Sequence, residues 1–250
     1  MAGWYVISLR PSGGHAPVRR AAAAWGATVL PVSTLRLVAV DAGPALAAAL
    51  ACPFVVFTSP AAVRFSQGPQ PMRARVGQRW LAVGSGTAAA LGRAGIGSVA
   101  VPEGRADSEG LLARRELQSL PGTDVGVVTA PGGRGLIAET LAQRGARVHL
   151  AEVYRRAVIV PSPARLRRLD ELPGRSALMV SSAEAFEALW RHLPEAARAR
   201  LRTRPAVASS PRLAAMLAGL GFAAIVPAAG ATPSGMLAAL AADVGSGRFR

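Results

Sequence analysis

The chain has 250 residues, 51% of them hydrophobic, enough for one large core or two modest ones. Its single cysteine, Cys52, excludes a disulfide framework and a cysteine-rich metal site, and fits a reducing compartment. The net charge is +15 and all 29 basic residues are arginine, so the absence of lysine excludes Schiff-base chemistry and a lysine-bearing phosphate loop.

Trp4–Leu9 opens the chain as a short strand-like run cut off by Arg10 and Pro11, and reads as no secretory signal. Further strands are predicted at 27–30, 54–57, 80–83, 98–101, 125–129, 147–150, 177–180, 205–208 and 223–226. Each apolar run ends in small polar residues, and an Ala-rich helical pattern follows. That alternation predicts βαβ units, mainly parallel sheets and the α/β class. The uncharged stretch from Ala42 to Val63 is broken by Pro44, Pro53 and Pro60 and carries Thr58 and Ser59, so it reads as helix–turn–strand and not as a membrane helix.

A duplication runs through this pattern. The segment Phe57–Ala62 recurs at Val180–Ala185, Ala106–Ala113 at Ala231–Ala238, and Gly26–Val29 at Gly145–Val148. The three pairs fall in order at nearly constant offsets of 123, 125 and 119. Two similar domains with five-stranded sheets follow. They are either sequential, with a cut near 125, or nested, with 40–151 inserted into a discontinuous domain of 1–33 plus 159–250. In the nested layout the segments 34–39 and 152–158 are the crossings; they occupy equivalent repeat positions and carry strand-forming residues.

In open parallel sheets ligands bind beyond the carboxyl ends of the strands. The residues there are Thr58 and Ser59, Ser85, Gly86 and Thr87, Gly132, Gly133 and Arg134, Ser181 and Ser182, Ser209 and Ser210, and Thr232. Each group stands where a helix is predicted to begin, and free N–H groups at a helix start bind carboxylates. Plain N-capping by Ser and Thr is the better explanation of any one of them; the recurrence along both halves favours a binding role for the set. The charge excess points to an anionic partner: nucleic acid, an acidic membrane or a polycarboxylate. Nucleic acid is disfavoured because no aromatics interleave with the arginines and no recognition motif is present.

Gly84-Ser85-Gly86-Thr87-Ala88-Ala89 with Glu103 fits a dinucleotide fingerprint. Its strand is internal and its repeat partner Ser210-Pro211-Arg212 lacks the glycines, so no nucleotide cofactor is expected. His15, His149 and His192 match no metal-ligand spacing, and no metal site is expected. His149 and His192 read as structural or solvated, and Asp170-Glu171 as a surface pair. No serine–histidine–aspartate set or nucleophile elbow is visible.

Phe54-Val55-Val56-Phe57-Thr58-Ser59-Pro60-Ala61-Ala62-Val63, Ala82-Val83-Gly84-Ser85-Gly86-Thr87-Ala88 and the block from Gly132 through Leu141 and Gly145-Ala146 to Glu152-Val153-Tyr154-Arg155-Arg156 resemble, in this order, the uroporphyrinogen-III synthase family. Leu9-Arg10-Pro11 also fits. The resemblance implies two α/β domains joined by a two-stranded antiparallel linker, and so the nested layout. It implies a cyclising hydro-lyase that is cytoplasmic, monomeric and free of metal or organic cofactor. Its substrate would be hydroxymethylbilane, closed to uroporphyrinogen III with inversion of the last pyrrole through a spiro intermediate. Within that resemblance Tyr154 is the proton-donor candidate, and a linker tyrosine packed between the domains is the other reading of it. Arg10, Thr58, Ser59, Ser85, Gly86, Thr87, Gly132, Gly133, Arg134, Ser181, Ser182, Ser210, Arg212 and Thr232 are the substrate-binding candidates. Ser209-Ser210-Pro211-Arg212 departs from the family pattern. A two-lobed module that binds an anionic small molecule without chemistry is the alternative reading.

Overall fold

The structure is a computed structural model that describes residues 1–67, 72–105, 107–132 and 135–249. In chain order its elements are β1 (Tyr5–Ser8), α1 (Ala16–Ala23), β2 (Thr28–Pro31), β3 (Leu35–Ala39), α2 (Gly43–Ala51), β4 (Phe54–Phe57), α3 (Pro60–Ser66), β5 (Arg79–Ala82), α4 (Ser85–Arg93), α5 (Ser108–Leu112), a 3-10 turn (Arg115–Leu117), β6 (Asp124–Thr129), α6 (Leu136–Gln143), β7 (Arg147–Glu152), β8 (Tyr154–Val158), α7 (Pro163–Asp170), β9 (Ser176–Val180), α8 (Ala183–His192), α9 (Glu195–Arg202), β10 (Ala206–Ala208), α10 (Pro211–Gly219), β11 (Ile225–Pro227) and α11 (Pro233–Gly245). They fall into two compact units, Met1–Leu37 with Ala157–Arg250, and Val38–Arg156.

The first unit holds a sheet of order β11-β10-β9-β1-β2, parallel throughout. Strands β9 and β10 are buried at every position, the signature of a parallel sheet covered on both faces. Alternation along the strands divides the core in two. Ile7, Leu178, Val180, Ala206 and Ala208 face Phe186, Leu189, Leu213 and Leu217 of α8 and α10. Val6, Ala177, Met179 and Val207 face Val18 and Ala22 of α1 and Met236, Leu237 and Leu240 of α11.

The second unit holds a parallel sheet of order β5-β4-β6-β7. One face packs Val56, Leu81, Val125 and Val127 on Leu111, Leu117, Ile137 and Leu141. On the other face α2 lies against β6 so closely that a Cβ on Gly126 would sit 2.0 Å from the Ala49 carbonyl oxygen. The expectation of five strands in both sheets is corrected here, because this sheet has four. The stretch predicted as a strand at 98–101 contributes one parallel bridge, Leu81 to Ala100. Ala100 donates its N–H to Trp80 O at 2.8 Å and accepts from Ala82 N–H at 2.9 Å. The ladder ends there, since Gly97 and Ser98 precede the bridge and Pro102 lacks the N–H that would extend it.

Counting that bridge as a rudimentary outer strand, the two sheets have the same spatial order. Position for position, β9, β10, β11, β1 and β2 correspond to β4, β5, Ala100, β6 and β7. The duplicated segments map onto this correspondence: 57–62 with 180–185 at the ends of β4 and β9, and 26–29 with 145–148 at β2 and β7. Strands β3 and β8 form a separate two-stranded sheet. Val40 N–H donates to Val153 O at 3.1 Å and Ile159 N–H to Thr34 O at 2.8 Å, so the positions run in opposite directions and the pairing is antiparallel. No helix among the described residues is long and apolar enough to cross a membrane.

Candidate active site

In the second unit the chain leaves β4 toward β5 on one side and resumes at β6 on the other. Such a switch point opens a crevice at the carboxyl ends of the two diverging strands. The crevice is a cleft of about 390 Å³, walled by Thr58 and Ser59 after β4 and Thr129, Ala130, Gly132 and Gly135 after β6. Thr58 donates its hydroxyl to Thr129 Oγ1 at 2.8 Å, tying the two strand ends together. Gly135 is the N-cap of α6 at φ +66°, and a Cβ there would meet the Glu139 carboxylate at 2.3 Å. Glycine therefore permits both the left-handed turn and the close approach of that side chain.

The remaining wall comes from the extended chain 150–156. Side chains of a strand alternate in direction, so Leu150, Glu152, Tyr154 and Arg156 share one face, and all four line the cleft. Tyr154 is 4% exposed and stacks on Phe65 of α3, ring centroids 5.2 Å apart and 19° from parallel. Its hydroxyl lies 3.1 Å from Ser59 Oγ. Ser59 Oγ also accepts the Ala62 N–H at 3.0 Å as the N-cap of α3. Arg156 donates to Pro131 O at 3.4 Å. Asp107, Ser108 and Glu109 at the start of α5 complete the lining, Asp107 capping that helix through Gly110 N–H at 2.8 Å.

Of the sequence candidates in this unit, Thr58, Ser59, Gly132 and Tyr154 come together in the cleft. Ser85, Gly86 and Thr87 do not line it. They form the first turn of α4, whose N-cap is Gly84, and Thr87 is buried with its N–H bonded to Gly84 O at 3.0 Å. The cause is topological: β5 lies on the far side of β4 from the crevice. Gly133 and Arg134 lie outside the described residues. Glu152, Leu150 and Arg156 were missed as cleft residues, because the segment was read as a strand 147–150 followed by a separate crossing 152–158.

In the first unit the equivalent switch point lies between β1 and β9, at Arg10 on one strand end and Ser181 and Ser182 on the other. Ser182, Ser210 and Thr232 are the N-caps of α8, α10 and α11, accepting from Ala185, Leu213 and Gly235 N–H at 3.3, 3.4 and 3.3 Å. Arg10 donates to Ala231 O at 2.5 Å, and burial lowers its proton affinity. Arg212 is exposed in the first turn of α10. His149 and Arg147 both bond the Asp124 carboxylate, and the two guanidinium contacts, at 3.0 and 2.6 Å, draw its proton affinity well below the ordinary range. His192 bonds Ala188 O within its own helix at 2.6 Å, and Asp170 pairs with Arg200, so these three serve the scaffold. Among the described residues no group of three His, Cys, Asp or Glu could hold a metal ion.

Duplicated doubly wound sheets with polar helix starts at their switch points define a two-unit α/β protein with an open crevice at the strand ends. The comparisons narrow this class. The family model described as uroporphyrinogen-III synthase HemD matches residues 17–238. The uroporphyrinogen-III synthase of Salmonella typhimurium is 35% identical over 167 residues, 66% of this chain and 68% of that protein. That of Escherichia coli is 33% identical over 184 residues, 72% and 74% of the two chains. Among solved structures, a mutant uroporphyrinogen III synthase from Thermus thermophilus is 25% identical and covers 98% of this chain and 100% of its own, with a TM-score of 0.55. The Helicobacter pylori enzyme, 15% identical over 98% of this chain and 100% of its own, shares the fold with a TM-score of 0.62. The chain belongs to the uroporphyrinogen-III synthase family, cyclising enzymes of tetrapyrrole biosynthesis.

Proposed function

We propose that the cleft of the second unit is where hydroxymethylbilane loses its hydroxyl, with Tyr154 as the proton donor. The observation that carries the reading is the Tyr154 hydroxyl itself, set in the cleft wall 3.1 Å from Ser59 Oγ and among the helix starts at the switch point. Proton transfer from the phenol lets the hydroxyl depart as water and leaves a protonated azafulvene, an azafulvenium cation, beside the tyrosinate. The last pyrrole attacks through its substituted carbon, the spiro intermediate reopens with that ring inverted, and the proton lost in the final closure returns to the tyrosine. Substrate and product then differ by one water, and no external oxidant or reductant enters. The task is conformational control, and holding reacting ends in near-attack geometry contributes several kcal/mol, up to roughly 7–11 in ideal cases.

The substrate's carboxylates are proposed to meet the helix starts at Thr58–Ser59 and Gly132 in the second unit, and at Ser181–Ser182, Ser210 and Thr232 with Arg10 and Arg212 in the first. The two units are read as the two domains, the second nested in the first with boundaries near 40–151; their matching strand order supports this. A cytoplasmic monomer without cofactor is the working form, consistent with a free, buried Cys52. Incubation with hydroxymethylbilane tests the function: isomer III as main product supports it, and binding without turnover returns the alternative of a non-catalytic anion module.

A further inference from the structure

A second pocket, of about 370 Å³, is lined wholly by residues of the first unit, among them Ser12, His15, Arg19, Ser33, Ser162 and Arg165. Among the described residues no carboxylate lines it. Some arginines of this chain sit on acids, as Arg147 does on Asp124, Arg200 on Asp170 and Arg202 on Glu195. Arg19 and Arg165 make no side-chain hydrogen bond or ion pair with any described residue. Two helices of eight residues also begin at its edge: α1 at Ala16, following His15, and α7 at Pro163, capped by Ser162. Prolines in their first turns leave few donors, but Ala16, Val18 and Ala164 N–H find no acceptor among the described residues. His15 is buried and lines the pocket. The Ser33 hydroxyl donates to Arg10 O at 3.0 Å, so its oxygen accepts from His15 Nε2–H at 2.7 Å. Its Nδ1 lies 3.0 Å from the Ser8 hydroxyl oxygen. Burial first, and then the charges of Arg19, Arg165 and Arg10, push the imidazole pKa down to about 4. The positive charge here is therefore carried by guanidinium groups, which stay charged at every physiological pH and match planar oxyanions.

We propose that this pocket is an oxyanion site, Arg19 and Arg165 together gripping one carboxylate or phosphate group. The oxyanion comes either from a carboxylate of the substrate or from free phosphate. Calorimetric titration of the whole chain with inorganic phosphate tests the site without relying on turnover, so its outcome is separate from that of the proposed activity. A saturable binding component is expected in the wild type that is weakened at least about tenfold in Arg19→Gln/Arg165→Gln and unchanged in Tyr154→Phe. A wild type that shows no saturable uptake, or a double variant that remains folded by circular dichroism and binds as the wild type does, overturns the proposal. Steady-state turnover identifies the source. If phosphate raises the apparent KM of the wild type with kcat unchanged, and the double variant starts from a raised KM that phosphate no longer moves, the site holds a substrate carboxylate. A KM indifferent to phosphate, with calorimetric binding intact, assigns the site to free phosphate.

Discussion

The Tyr154 ring is held by its stack on Phe65, and its hydroxyl by Ser59, so ring and proton have separable partners. Tyr154→Phe keeps the stack and loses only the hydroxyl. We expect turnover to fall about tenfold or more, within or just below the range of roughly 10²–10⁴ typical of a general acid, because a bound water can substitute in part. Folding and substrate binding should hardly change, and isomer III should remain the product. Wild-type turnover in this variant would return the tyrosine to a packing role, and release of isomer I would make it a clamp on the last pyrrole. His15 makes a different prediction. Its folded pKa of about 4 lies below the unfolded value near 6.5, so above pH 6.5 both states are neutral and the full stability is present. As pH falls from there toward 4, the unfolded chain takes up a proton that the folded one resists. Stability drops, by about 3 kcal/mol across the window. Denaturant melts at pH 7 and pH 4 should show this loss, and His15→Gln should flatten the part of it due to the imidazole. An equal loss in both proteins would assign the acid sensitivity to other groups.

Among the elements, β6 and α2 approach most closely at Gly126. A methyl group there meets the Ala49 carbonyl oxygen at 2.0 Å, its carbon at 2.6 Å and the Ala49 Cα at 2.8 Å. Backbone cannot swing aside as a long side chain can, so Gly126→Ala should destabilise by about 1–3 kcal/mol, as overpacking does. Gly92, in α4, has open space around its missing Cβ, and Gly92→Ala should be neutral or stabilising by up to about 1 kcal/mol. Thermal melts of the two variants check the pair; equal melting temperatures would mean that α2 shifts freely. The same scale explains one feature that sequence reading passed over. A run read as strand 147–150 followed by a separate crossing segment hides the continuous alternation of Leu150, Glu152, Tyr154 and Arg156. The alternation becomes visible only when β7 and β8 are seen to follow each other with Val153 alone between them.

For the whole molecule the dominant physical quantity is charge. At +15, with a substrate bearing several carboxylates, attraction that acts through solvent is screened over about 8–10 Å at physiological salt. Raising ionic strength should therefore raise the dissociation constant for hydroxymethylbilane, and an affinity unchanged between low and high salt would count against charge-led binding. The sequence by itself determined the α/β class, nearly every strand, the duplication and the family, because each rests on local periodicity or on the order of short segments. It also marked Thr58, Ser59 and Gly132, since strand ends before helix starts are legible one segment at a time, and Tyr154 through the family resemblance. It overcounted the second sheet, because Gly97, Ser98 and Pro102 limit pairing to one residue and local apolarity does not measure hydrogen bonds. Only the tertiary structure decided which strand ends share a crevice, moving Ser85, Gly86 and Thr87 out of the lining and Glu152 and Arg156 into it. It also placed Arg19 on the same pocket as Arg165, 146 positions later in the chain. The physical reason is that strand order in a sheet is set by crossovers and burial across the whole domain, and no window of neighbouring residues contains that information.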